Sequence, residues 1–412
     1  MSKIYAFIVF FIAIGVVLVV SRRNIGLSLF LGALILGIFT PIISILVGSS
    51  FPYDLSLYEG SLEILSAFLD PSVILLALSV ALIPLIGGTM ERSGQMDTLV
   101  NNLRLPRTAT ISSLPAILGM LPMPGGALLS APLVERTGEG VSASDKAAIN
   151  VWFRHILFLV YPLATALLVT AKIVDLSVYA LIPRLSPFFL LTLLTGYVFL
   201  LRDMDGRVNY EGEFSPKGLV LPLLVILIAP AIDLILGSIF PPVDPFSELA
   251  LFVGVVSSLI LSSMMGGIAW RDIVDIFKNM KSWNFAFVIF GMFAFLNVFN
   301  ASPIPEQINS IQLQLQLLFV VVGFFLGLGT GRIQAPMGIL LPIVLLSYEI
   351  TPIAFAIMYF SVFIGYVLSP VHPCVSVSIE YFDTSLGKFF RSLAAPAMIS
   401  FFGVFLVSFL YL

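Results

Sequence analysis

The chain has 412 residues, 59% of them apolar and only 10% charged, with a mean hydropathy of +1.09. A soluble domain carries about 25% charged residues, so the composition excludes a soluble enzyme, a nucleic-acid binder and a disordered regulator, and describes a polytopic membrane protein. The net charge of −3 says little about partners, because position rather than sum of charge is informative in a bilayer.

One crossing needs ~20 apolar residues, so the length admits about ten to twelve. In chain order, the first spans are expected at 4–20, 25–48 and 72–90. Lys3 precedes the first and Arg22-Arg23 follow it. A cleaved signal carries its positive charge before the apolar run, so 4–20 reads as a retained span. Residues 51–70 carry acids and no Lys or Arg, which suits an outer loop. The segment 108–135 is apolar but interrupted by Pro115, Pro122, Pro124, Gly125 and Gly126. A broken span follows at 145–171, interrupted at Tyr161-Pro162, and then a span at 178–201. The second half offers spans at 218–238, 247–266 and 284–300 and an apolar segment at 314–346 interrupted by Gly327, Gly329, Gly331 and Pro336. A broken span at 352–380, interrupted at Ser369-Pro370, and a final span at 393–412 complete the chain.

Lys and Arg in short loops mark the cytoplasmic side. If 108–135 and 314–346 are re-entrant hairpins, fifteen Lys and Arg fall on one side and three, Lys3, Lys172 and Arg184, on the other. An ordinary kinked span in either place would put the following basic loops on the wrong side. The reading is ten crossings and two hairpins, with both termini outside, in the plasma membrane of a prokaryote. The order of features is the same in 1–205 and 206–412, and matches recur at an almost constant offset: Gly119 with Gly329, and Pro132-Leu133-Val134 with Pro342-Ile343-Val344, each 210 apart. Five crossings per half is an odd number, so the halves must be inverted, an arrangement typical of secondary transporters.

Pro and Gly at membrane depth are tolerated only where protein or a water-filled cavity surrounds the freed backbone groups. The first hairpin tip, with Pro124, Gly125 and Gly126, and the second, with Gly329, Thr330, Gly331, Arg332 and Gln334, are therefore the expected binding elements. An arginine deep in the bilayer marks a functional site by default, and the planar fork of Arg332 suits a carboxylate or phosphate. A standing pair with an internal acid is the alternative for Arg332, and snorkelling to the surface the alternative for Arg154. His155 and His372 are the only histidines, either proton carriers or contacts for the ligand. Asn150, Thr165, Gly329, Ser369 and His372 are the candidates for a coupling ion, Na⁺ or H⁺. The sequence has no Cys/His cluster with zinc spacing, one cysteine (Cys374) and hence no internal disulfide, and no motif that asks for a cofactor.

The segments LPMPGGALLSAPLV at 121–134, NVWFRH at 150–155, GTGRIQAPMGILLP at 329–342 and GYVLSPVHPCVSVSIEYF at 365–382 resemble the ion transporter superfamily, whose members carry citrate, gluconate, dicarboxylates and lactate. The resemblance is strongest to a prokaryotic integral membrane family of undefined function. It implies an all-α fold of two inverted repeats, each with five transmembrane helices and one re-entrant hairpin. It also implies scaffold and transport subdomains that move as an elevator, and a homodimer. Na⁺-dicarboxylate relatives carry Ser-Asn-Thr at the tips, where this chain has PMPGG and GTGRIQ. The function expected is secondary transport of a small organic anion, a carboxylate, coupled to Na⁺ or H⁺. Its partners are that anion, the lipid bilayer and a second copy of the chain, with no nucleic acid. A cation/proton antiporter is the alternative. An intramembrane enzyme or a lipid-handling protein is a minor alternative; no Ser/His/Asp set, HExxH stretch or pair of intramembrane aspartates supports catalysis.

Overall fold

The computed structural model describes residues 2–48, 53–122, 126–204, 206, 213–240, 246–309, 314–345 and 348–412. All regular structure among them is helical. Helix α1 is Ser2–Ser21, and α2 (Ile25–Leu34) continues through a π-helical turn into α3 (Thr40–Val47). Next come α4 (Leu57–Leu69), α5 (Pro71–Arg92), α6 (Gln95–Asn102), α7 (Arg107–Gly119), α8 (Gly126–Thr137), α9 (Ala143–Ile156), α10 (Thr165–Ile173) and α11 (Val178–Gly196). The second half contains α12 (Pro216–Ile239), α13 (Leu249–Gly266), α14 (Trp270–Asn279), α15 (Trp283–Ala301), α16 (Ile304–Asn309), α17 (Gly323–Thr330), α18 (Gln334–Leu345), α19 (Pro352–Val367), α20 (Pro373–Tyr381) and α21 (Leu386–Tyr411).

Among the described residues, seven helical stretches are long and apolar enough to cross a bilayer: Ile25–Leu46, Pro71–Arg92, Val178–Leu201, Pro216–Ile239, Leu249–Gly266, Trp283–Ala301 and Leu386–Tyr411. With this pattern the protein is a multi-pass membrane protein. The two spans expected to be broken are interrupted where expected. Each broken span is divided into two helices, α9 with α10 and α19 with α20, because the residues between them leave the helical path. The expectation of an outer loop at 51–70 needs correction, since 57–69 is the helix α4. Its start is fixed by a reciprocal capping box, Ser56 Oγ accepting from Glu59 N and Glu59 Oε2 accepting from Ser56 N, a motif that satisfies two end groups at once.

Helix starts recur between the halves: 126 and 334, 143 and 352, 165 and 373, 178 and 386, offsets of 208, 209, 208 and 208. Packing recurs in the same way. Helix α10 packs on α18 and α20 on α8; α11 packs on α19 and α21 on α9; α2 packs on α15 and α13 on α5. Arg107 Nε donates to the Thr137 carbonyl at 2.8 Å, tying the entrance of α7 to the exit of α8, so that this segment turns back to its starting end. In the second half, α17 packs against α18.

The broken spans form the core. Every residue of α19 from Ala354 to Val367 and of α9 from Ala147 to Ile156 is buried. The outer helices α12 and α21 instead expose Leu, Ile and Phe, as lipid-facing helices do. Four helices, α8, α10, α18 and α20, begin in the middle of this core, and that is where the site lies.

Candidate functional site

A cavity of about 500 Å³ lies where the breaks meet. Its lining includes the first residues of four helices: Gly126 of α8, Thr165 of α10, Gln334 of α18 and Pro373 of α20. A helix start carries unsatisfied N–H groups and about half a positive charge. The chain breaks arise for ordinary reasons. Helix α17 ends on Gly331, whose φ of +63° is a left-handed cap that glycine adopts without steric cost. A Cβ at Gly331 would lie 2.9 Å from the amide nitrogen of His372, so this glycine also lets the two breaks touch. Pro373 opens α20 at a position where the missing N–H is not needed.

Arg154 reaches the cavity from the end of α9 and is only 4% exposed. Its Nη1 donates to Ser130 Oγ at 3.4 Å, and Cys374 lines the same cavity. Two glycines make room for the arginine. A Cβ at Gly119 would stand 1.9 Å from the Arg154 carbonyl oxygen, and one at Gly126 would stand 2.0 Å from Nη2. Arg332, in the break between α17 and α18, lines the same cavity and is half-buried. Among the described residues neither guanidinium has an acidic partner: the ion pairs are Arg92–Asp272, Lys146–Glu135 and Lys172–Glu248. No Asp or Glu lines the cavity among the described residues. Two guanidinium groups and four helix starts therefore face one space with nothing negative in it.

The histidines stand between them. The rings of His155 and His372 are 4.7 Å apart, and Tyr366 lies 4.2 Å from His372. Both histidines are 2% exposed. His155 Nδ1 is 2.6 Å from the Val151 carbonyl; a carbonyl only accepts, so Nδ1 carries the hydrogen and Nε2 the lone pair. His372 Nδ1 has no partner among the described residues. With Cys374, the two rings bring one ligand-type atom each within 4.8 Å of one another, a grouping that sequence spacing does not reveal.

The opposite wall is apolar, formed by Ile25, Val80, Phe285, Val288 and Ile289 of α2, α5 and α15. The cavity reaches outward to Arg23 and Lys281, both exposed, and to Asn24 and Asn284, whose side chains hydrogen-bond at 3.3 Å. This mouth lies toward the Arg92 end of α5, where Met280 packs on Gly88. At the other end of α5, Ser72 meets Ser247 at 2.7 Å, and Lys172 pairs with Glu248 at 3.1 Å.

Of the residues singled out in the sequence, Gly126, Arg154, His155, Thr165, Gly331, Arg332, Gln334 and His372 line the cavity. Pro124 and Gly125 lie outside the described residues. Thr330, Ser369, Asn150 and Gly329 do not line it. Thr330 Oγ1 donates to the Leu326 carbonyl at 2.8 Å, and Ser369 Oγ to the Leu328 carbonyl at 2.6 Å. Asn150 bridges the Ala127 carbonyl and Ser378 Oγ, at 3.2 and 2.9 Å, bracing α8 and α20. Gly329 is exposed. Residues that sequence reasoning missed are Tyr366, Phe158 and the mouth residues Asn24 and Asn284. Tyr366 lay within a quoted motif, but no sequence signal distinguished it.

The chain belongs to the family described as "Protein of unknown function (DUF401)". The family model matches residues 4–411. The fold is similar to that of the YdaH transporter of Alcanivorax borkumensis, with 16% identity and a TM-score of 0.63 over 92% of this chain and 97% of that one. No curated protein matches the chain. The likeness is one of fold.

Proposed function

We propose that the protein is a secondary active transporter of a small organic anion, a carboxylate, working by alternating access and coupled to Na⁺ or H⁺. One observation carries this reading: two guanidinium groups and four helix starts line one cavity, and among the described residues neither guanidinium has an acidic partner and no acid lines the space. Unpaired buried charge is costly, and an anion between Arg154 and Arg332 would compensate it. The alternative, a cation/proton antiporter, would need buried acids in the same place.

On this reading the halves 1–205 and 206–412 are inverted repeats, each with one re-entrant hairpin; the recurring offsets and reciprocal packing support it. The broken spans and hairpins form a moving unit against a scaffold containing α2, α5, α13 and α15, as in an elevator, and the scaffold faces pair in a homodimer. The membrane is the plasma membrane of a prokaryote, with both termini outside. The basic mouth at Arg23 and Lys281 then faces the cytoplasm, so the structure corresponds to an inward-open state. The test is uptake of a radiolabelled carboxylate panel into proteoliposomes by wild type and Arg332→Ala. The variant should insert normally and lose transport; equal transport by both would refute the role of Arg332.

A further inference from the structure

We infer that His155 and His372 together hold the coupling ion, a single proton shared between the two rings, so that the anion crosses with H⁺ and not with Na⁺. The inference rests on the anion-carrier reading above and assigns the coupling site within it.

The argument begins with what lines the cavity. Only histidine has an unperturbed titration range that spans physiological pH, and the two histidines in the chain meet here, one from each half. The other ionisable groups lining the cavity are Arg154, Arg332, Tyr366 and Cys374, with Arg23 and Lys281 at the mouth. On α9 itself and the helices packed against it and α20, Arg107, Glu135, Arg136, Asp145 and Lys146 do not line the cavity. Neither do Arg184, Glu380, Lys388 and Arg391. Among the described residues no carboxylate lines the cavity to carry the proton instead.

The pair has capacity for one proton. His155 Nδ1 already donates to the Val151 carbonyl at 2.6 Å, which leaves Nε2 as its only basic atom. His372 Nδ1 is buried and unpartnered among the described residues. Two imidazolium rings 4.7 Å apart would repel each other strongly, so the second protonation is opposed and the pair titrates as a unit. A Na⁺ ion, by contrast, needs oxygen ligands. The hydroxyls of Thr330 and Ser369 at the breaks donate to the Leu326, Arg332 and Leu328 carbonyls, which leaves Thr165 as the hydroxyl-bearing coupling-ion candidate that lines the cavity.

Chemically the step is simple. Water on one side gives up a proton to a ring lone pair; the same proton leaves to water on the other side. A monocarboxylate and its proton together move no net charge. Because anion and imidazolium attract each other, each raises the other's binding by the same factor. That reciprocity is what couples the two.

The experiment is nitrogen-15 NMR of histidine-labelled protein in nanodiscs, with succinate and benzoate as anion probes and melting temperature recorded in parallel. The chain has two histidines, so His155→Gln and His372→Gln assign each ring. Expected is uptake of one proton in total by the two rings between about pH 5 and 8 when an anion probe is present. Removing either ring should move the other's midpoint by at least about one pH unit. Independent titration of the rings, no proton uptake, or replacement of the proton by Na⁺ or Zn²⁺ would overturn the inference; wild type alone decides this if a variant fails to fold. If a probe stabilises the protein through Arg332 but the rings stay neutral, the proton assignment fails and the anion reading stands. If the rings titrate as a unit but neither probe stabilises the protein, the proton pair stands and the anion reading loses its support.

Discussion

Gly126→Ala should weaken anion binding while leaving the fold intact. The new Cβ would lie 2.0 Å from Arg154 Nη2 and 2.9 Å from Cζ. Ordinary contact begins at 3.4 Å, so the guanidinium must retreat by about 1.4 Å. It can do so, because the clash is with the far end of a flexible side chain, and alanine is a better helix former than glycine by roughly 1 kcal/mol. Losing one charge-assisted hydrogen bond to an anion costs about 1.5–3 kcal/mol, or about tenfold to 150-fold in affinity. Gly119→Ala is the control with the opposite pattern. Its Cβ would meet the Arg154 carbonyl oxygen at 1.9 Å, backbone that cannot swing aside, and overpacking of this kind costs about 1–3 kcal/mol of stability or more. The assay pairs thermal melting in detergent with titration of the carboxylate that most stabilises wild type. Gly126→Ala should melt within about 2 °C of wild type and bind weakly; Gly119→Ala should melt early. Wild-type affinity in Gly126→Ala, or equal destabilisation by both, would refute the placement of Arg154 beside the site.

Two further substitutions follow from the same geometry. Glu248→Gln removes the pair that joins α10 to the start of α13. A partly exposed pair contributes up to about 1 kcal/mol, so if this end of α5 is the side closed to the outside, as proposed, the ratio of outward-open to inward-open protein should rise up to about fivefold, read as faster thiol labelling from that side; an unchanged ratio would mean the pair does not hold that end closed. Asn150→Ala leaves Ser378 and the Ala127 carbonyl without their buried donor, which should cost about 1–3 kcal/mol of stability without changing anion specificity. A shift in specificity at normal stability would instead place Asn150 in the binding site.

Much of this arrangement was legible in the sequence, for a physical reason. Pro122, Pro124, Gly125 and Gly126 in one half, and Gly329, Gly331 and Pro336 in the other, interrupt apolar runs where lipid permits no free backbone groups. Arg154 and Arg332 declare themselves because buried cations are rare. What could not be read was which polar groups turn inward. Asn150, Thr330 and Ser369 satisfy backbone or brace helices, and residue type does not distinguish that from ligand binding. The meeting of His155 with His372 and Cys374 depends on packing between the halves. Helix α4 escaped a reading based on charge, although Ser56 and Glu59 carry a capping-box signature. The amphipathic α14 is similarly short and polar, and lies next to the mouth through Met280 and Lys281.

The protein contains its own reporter for the central claim. Cys374 is the only cysteine, and it lines the cavity beside Arg154. A membrane-impermeant thiol reagent applied to right-side-out and inside-out vesicles asks whether this one space opens to both compartments. Labelling of Cys374 from each face, slowed by the transported carboxylate in both, is the result expected of an alternating-access anion site. Labelling from one face alone, indifferent to carboxylates and to Glu248→Gln, would mean the cavity is a fixed vestibule and not a carrier's binding site.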